Sequence, residues 1–193
     1  MKKVILLATA VMVFGFTNAQ DVKFGAKVAL NVASLTGDVD NASSLIGFQI
    51  GGFAEIKISE KFAIQPELMY SAQGVKENIL GEEFTTKLGY INIPVMAKYY
   101  VAKSFSLEAG PQIGFLTSAI TKAEENGVSV EVDVKDYTSS VDFGFNFGAG
   151  YDFTEKLFGG LRYNLGLSNV SDVPYDDSSA KNSVFSVSLG YKF

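Results

Sequence analysis

From Val22 to the C-terminus, apolar residues recur at every second position, and the three-to-four-residue spacing of a helix is missing. A period of two predicts strands with one apolar and one polar face. Eight such segments can be read. In the first, Val22, Phe24, Ala26, Val28, Leu30 and Val32 stand opposite Lys23, Gly25, Lys27 and Asn31. In the second, Ile46, Phe48, Ile50, Ala54, Ile56 and Ile58 oppose Gln49, Glu55 and Lys57. The third sets Phe62, Ile64, Leu68 and Tyr70 against Gln65, Glu67, Ser71 and Gln73, and the fourth sets Ile91, Ile93, Val95, Ala97, Tyr99 and Val101 against Tyr90, Asn92 and Lys98. The second half repeats the design. Phe105, Leu107, Ile113 and Phe115 oppose Ser106, Glu108 and Gln112, and Val141, Phe143, Phe145, Phe147, Tyr151 and Phe153 oppose Asp142, Asn146 and Asp152. Leu157, Leu161, Tyr163, Leu165 and Leu167 oppose Arg162, Asn164 and Ser168; finally Phe185, Val187, Leu189, Tyr191 and Phe193 oppose Ser186, Ser188 and Lys192. Each segment is about 11–13 residues long, which covers the roughly 9–11 that a tilted strand needs to cross a hydrocarbon core.

The connections alternate in length. Ser59-Glu60-Lys61, Ala102-Lys103-Ser104 and Thr154-Glu155-Lys156 are tight, whereas those at 35–45, 74–86, 118–139 and 171–181 are long. Strands joined in this way collect the tight turns at one end and the long loops at the other, as transmembrane barrels do. The predicted fold class is all-β: an eight-stranded antiparallel up-and-down transmembrane β-barrel. In the third long connection, Glu125-Asn126-Gly127 is a hairpin turn signal. Alternation through Val128, Val130, Val132 and Val134 follows it, so strands five and six should extend as a protruding hairpin, with a bulge near 136–140 where the phase inverts. Entry of that hairpin into the membrane would give ten strands instead. Pro66, Pro94 and Pro111 lie inside segments, and a closed sheet has no edge to hide a missing N–H. Bulges or widened pairing are expected there.

Alternation also fits a soluble lipocalin-like barrel that carries a small apolar ligand, with the apolar face turned inward. The character of the polar face separates the two readings. Gly25, Gly47, Gly51, Gly110, Gly114, Gly144, Gly148, Gly150, Gly160, Gly166 and Gly190 all fall on it. Glycine weakens a strand and needs a reason; the narrow interior of an eight-stranded barrel, filled by side chains, supplies one. The apolar face carries no charge in any segment, and a Lys or Arg there would cost about 2–4 kcal/mol at a membrane midplane. Phe24, Phe62, Tyr99, Phe105, Phe153, Tyr191 and Phe193 gather at the tight-turn end, and Tyr70, Phe115, Phe143 and Phe185 toward the other, as interfacial girdles would. The polar face is therefore expected inside and the apolar face against lipid.

The N-terminus changes the picture by adding an export signal. Met1-Lys2-Lys3, an uncharged run from Val4 to Phe16 and then Thr17-Asn18-Ala19 have the form of a secretory signal peptide. The run is too short to span a bilayer core of roughly 30 Å as a helix. The expected organisation is a signal peptide over 1–19 and a barrel domain over 20–193. The 193 residues contain no cysteine and no histidine. That removes disulfides, thiolate metal sites and His-dependent catalysis. With 16 basic and 21 acidic residues and a net charge of −5, nucleic acid is not an expected partner.

Several ordered motifs then resemble one family. Gly25-x-Lys27-x-x-x-Asn31, Gln65-Pro66-Glu67-Leu68-x-Tyr70-Ser71 and Tyr90-Ile91-Asn92-Ile93-Pro94-Val95 are followed by Glu108-Ala109-Gly110-Pro111, Gly148-Ala149-Gly150-Tyr151 and Arg162-Tyr163-x-x-Gly166-Leu167. Together they resemble the PorT-like outer-membrane β-barrel family, itself similar to the eight-stranded barrels of the OmpA and OmpX type. The resemblance implies a bacterial outer-membrane location, with outer-membrane lipid around the barrel, periplasmic termini and extracellular long loops. It also implies a structural or binding role, or one as accessory to a secretion or envelope complex. The closing pattern Phe185-x-Val187-x-Leu189-x-Tyr191-x-Phe193 looks like the terminal signal read by the barrel-assembly machinery.

Three groups of residues remain as candidate chemistry. Lys27, Glu55, Glu67, Lys98, Glu108 and Arg162 lie on the lumen phase near the tight-turn end and sum to zero charge. Buried charges should pair, so an ion-paired filling is expected rather than a polar path for a solute or proton. Glu67 and Glu108 as an acid–base pair would need environments that separate them, and neighbouring Arg162 and Lys27 would hold both ionised. No catalytic residue and no cofactor is assigned, and a lipid-modifying enzyme stands as a third reading. The long loops are acidic. Glu124, Glu125, Asn126, Gly127, Glu131 and Asp133 form the likeliest partner-binding element, since a protruding edge can receive another strand. Asp38, Asp40, Asp176 and Asp177 supply hard oxygens suited to Ca²⁺ but lack the spacing of a calcium loop.

Overall fold

The computed structural model describes residues 22–39, 42–79, 82–125, 128–173 and 178–193. The segment read as a signal peptide lies outside them. Period-two alternation is realised as strands throughout: β1 (Val22–Gly37), β2 (Ala42–Lys57), β3 (Phe62–Ile79), β4 (Glu82–Ala102), β5 (Phe105–Glu125), β6 (Val128–Asp133), β7 (Val141–Asp152), β8 (Leu157–Gly166) and β9 (Ala180–Lys192). Antiparallel pairing runs β4-β3-β2-β1-β9-β8-β7-β5, and a further β4–β5 ladder closes the ring. The closed wall has eight strands, and β6 pairs with β5 alone, outside the ring. The ten-strand alternative is thereby set aside. No helix among the described residues is long and apolar enough to cross a membrane.

The two faces are inverted relative to a soluble barrel. Leu30 is 66% exposed, Ile46 76% and Phe143 52%, whereas Glu55 and Asn31 are fully enclosed. A continuous apolar belt of this extent on a monomer marks a surface covered by something other than water. A soluble carrier would need these same side chains around a ligand inside; they stand on the outside, and the interior is polar.

Most of the long loops are strand. β3 and β4 continue to Ile79 and from Glu82, and β5 continues to Glu125, so 74–79, 82–86 and 118–125 are hairpin arms rather than coil. Hydroxyl and β-branched residues sustain the ladder beyond the apolar belt: Thr86 Oγ1 and Thr121 Oγ1 meet at 3.0 Å across β4 and β5. The phase inverts at glycines. The β2–β3 register slips between Ser44 and Gln49 opposite Gly74, whose φ of +148° excludes most side chains, and the β4–β5 register slips between Gly89 and Tyr90. The prolines cause no such slip. The β3–β4 ladder stops at Pro66–Val95 and resumes at Met69–Asn92 in the same register, and the β4–β5 ladder stops at Pro94–Gln112 and resumes at Ala97–Ala109. Widened pairing, not a bulge, accommodates each missing N–H. Between β6 and β7 the expected bulge is instead a short 3₁₀ turn, Lys135–Tyr137, which resets the phase.

Candidate functional site: a filled lumen and a free edge strand

At the tight-turn end, the lumen is held by ion pairs between strands that are not neighbours in the sheet. Glu67 on β3 accepts from Lys27 Nζ on β1 (2.6 Å) and, with both oxygens, from the Arg162 guanidinium on β8 (2.9 Å each). Arg162 Nε also donates to Glu108 Oε1 on β5 (2.8 Å). Such fork-shaped pairing fixes both partners. A second group adjoins it. Glu55 on β2 accepts from Lys98 Nζ on β4 (2.8 Å), and its carboxylate lies 3.2 Å from Lys192 Nζ on β9, which reaches Asp152 on β7 at 3.1 Å. Gln65 joins the groups by donating to Glu67 (2.8 Å) and accepting from Lys98 (3.1 Å). All six residues expected here are present and brought together. Lys192 and Asp152 complete the set; both stand on the polar phase of the sequence, so parity alone could have found them. Each strand of the closed wall supplies one charge, and the set is neutral.

Aromatic rings close the network from below. Phe53 and Phe158 meet edge to face at 5.4 Å, and Phe158 lies 5.5 Å from Lys98 Nζ and 5.4 Å from Lys192 Nζ. Their positions depend on glycine. Phe53 is the cross-strand partner of Gly25, and Phe158 of Gly190; a Cβ at either glycine would overlap the ring. Between Lys27, Lys98, Glu108, Phe158 and Arg162 a void of about 10 Å³ remains, about the room one water molecule needs. Above the ion pairs, Asn31 bonds to Ser71 and Ser186, and Asn146 bonds to Gln112 and Asn164. The far end is apolar: Leu88, Tyr90, Leu116, Ala119 and Val170 form a buried layer with Leu35 and Val134 against it. Val170 is carried there by the β8–β9 connection, which is clasped to the β6–β7 turn through Ser139 N to Val170 O (2.8 Å) and Asp172 N to Tyr137 O (3.0 Å).

Glu67 and Glu108 are committed to these ion pairs. Both Glu67 oxygens are saturated by cations and by Gln65, and Arg162 bridges Glu67 to Glu108.

Outside the lumen, β6 is paired on one side only among the described residues. Its Ser129, Val130, Glu131, Val132 and Asp133 are all exposed, and Asp133 Oδ1 also caps the following turn by accepting from Lys135 N (2.9 Å). Glu124 and Glu125 lie on the backbone of β5 beside it, while Asn126 and Gly127 fall outside the described residues. Of the calcium candidates, Asp40, Asp176 and Asp177 also fall outside them. Asp38 uses Oδ2 to accept from Ser179 N (3.0 Å), which ties the β1–β2 connection to the β8–β9 one. Among the described residues, no cluster of acidic side chains has the form of a metal site. Phe185, Val187, Leu189, Tyr191 and Phe193 share the lipid face of β9, which closes the barrel against β1.

Comparison with known proteins agrees with this geometry. No curated protein matches the chain. Ail of Yersinia pestis, solved in complex with the heparin analogue sucrose octasulfate, superposes with a TM-score of 0.53 at 13% identity, covering 91% of this chain and all of that one. Neisserial surface protein A superposes with a TM-score of 0.53 at 14% identity, over 88% of this chain and 97% of that one. At such identity these likenesses establish the fold alone. Residues 18–172 match the family model described as the outer membrane protein beta-barrel domain. The chain belongs to that family, and its place is the outer membrane of a Gram-negative envelope.

Proposed function

We propose that the protein is a non-enzymatic binding element of the outer membrane. Its tight turns and barrel termini face the periplasm, its long hairpins face outward, and β6 receives an extended, basic segment of another envelope or secretion-complex protein. One observation carries this reading: among the described residues β6 pairs with β5 only, which leaves the backbone donors and acceptors of its outer edge without strand partners. Charge narrows the partner. Glu131 and Asp133 lie on the edge, and Glu124 and Glu125 precede it in sequence. A second copy would bring like charges together, and a polyanion of the kind bound in the Ail crystal would be repelled. The resemblance to PorT-like barrels supports a secretion complex as the setting, and the terminal aromatic pattern supports Phe193 as part of the signal to the barrel-assembly machinery.

The test uses the folded chain in detergent and two synthetic peptides, one of alternating Val and Lys, the other of alternating Val and Glu. The basic peptide should bind and lose affinity as salt rises, and Glu131→Lys should weaken it about two- to fivefold. Equal binding of both peptides, or of neither, overturns the reading.

A further inference from the structure

Eight lumen charges cancel near the tight turns, and one carboxylate is left over. Asp142, near the start of β7, is 4% exposed. Its oxygens accept from Ser168 Oγ (2.7 Å) and Asn182 Nδ2 (3.1 Å), and no lysine or arginine among the described residues forms an ion pair with it. Ser168 Oγ accepts in turn from Phe143 N (2.8 Å), so its single proton is directed at Asp142. Two neutral donors do not offset an enclosed negative charge.

Two buried asparagine amides flank this part of β7. Asn164 is 6% exposed and its Oδ1 has no partner. Its amide lies over Gly144, the next inward position along β7 from Asp142; a Cβ there would stand 2.7 Å from Nδ2, which donates to Asn146, and 3.2 Å from the free Oδ1. On the other side, Gly114 is the cross-strand partner of Asp142. A Cβ on Gly114 would stand 2.6 Å from Asn92 Oδ1 and 3.6 Å from Asp142 Cβ. Asn92 is 3% exposed. Glycines at 114 and 144 thus leave room for the Asn92 and Asn164 amides beside Asp142.

We propose that Asp142, Asn92 and Asn164 form a site for a monovalent metal cation, sodium or potassium, beneath the apolar layer that closes the barrel. All the ligating atoms are hard oxygens, which select alkali and alkaline-earth ions over softer metals. A single carboxylate neutralises one positive charge; a divalent ion would leave a positive charge in the same enclosed space and takes more carboxylates as a rule.

The experiment follows the thermal unfolding midpoint of the full chain in uncharged detergent, with sodium or potassium chloride exchanged for choline chloride at constant ionic strength. Binding to the folded state raises the midpoint with the logarithm of ion concentration, by about 3–5 °C per tenfold increase above the dissociation constant. Asp142→Asn should abolish the dependence. Asn164→Ala should move it to higher concentration while leaving the carboxylate in place, and this variant serves if Asp142→Asn does not fold. A wild-type midpoint indifferent to the exchange overturns the proposal, as does a full dependence retained in Asp142→Asn.

Discussion

Arg162 spans the lumen, and its two carboxylate partners come from β3 and β5. Removing one member of such a group leaves enclosed charge without compensation, which costs about 3–5 kcal/mol. Glu67→Gln should therefore destabilise the barrel by that amount, measured by urea unfolding in detergent. Lys27→Met in the same chain should recover part of the loss, because Arg162 and Glu108 then remain as a neutral pair. A second prediction concerns glycines of opposite phase. A Cβ on Gly110 would meet the backbone carbonyl of Val95, whereas on Gly52 it would find only Gly25 O, at 3.5 Å. Gly110→Ala should cost about 1–3 kcal/mol and Gly52→Ala less than about 0.5 kcal/mol. The residues of this interior were legible because parity fixes which side each occupies. The placing of Arg162 and Lys27 beside Glu67 and Glu108 was read as well, but the pairing of Glu55 with Lys98 was not: it depends on which strands face one another across the ring, and alternation carries no such information.

Among the elements, the lipid-crossing parts of the strands were plain in the sequence because lipid enforces an uninterrupted apolar face. The extensions beyond the membrane were not. There the outer face meets water instead of lipid, so the alternation fades at Thr85, Thr86 and Thr121 even though the ladder continues. The slips at Gly74 and Gly89 were concealed for a related reason, since one glycine can mark a slip or merely fill a tight place. The prolines pointed to a disturbance and gave no means of choosing between a bulge and a wider pair. β6 was legible through its turn signal and its valines, and its attachment to β5 alone makes it separable. Replacing residues 124–132 with a two-residue turn should leave the heat-resistant, fast-migrating barrel band on a gel unchanged. A barrel that no longer folds would show that β6 belongs to the wall.

For the molecule as a whole, everything rests on side chains of greasy character meeting acyl chains while charge and glycine fill the interior. The chain lacks cysteine, so spin labels can be placed one at a time along β1 from Ala26 to Ala33 in a bilayer-reconstituted sample. Collision with dissolved oxygen, which concentrates in the hydrocarbon, should peak at Ala26, Val28, Leu30 and Val32 and fall at Lys27, Ala29, Asn31 and Ala33. The opposite phase, or a profile without period two, would contradict the account.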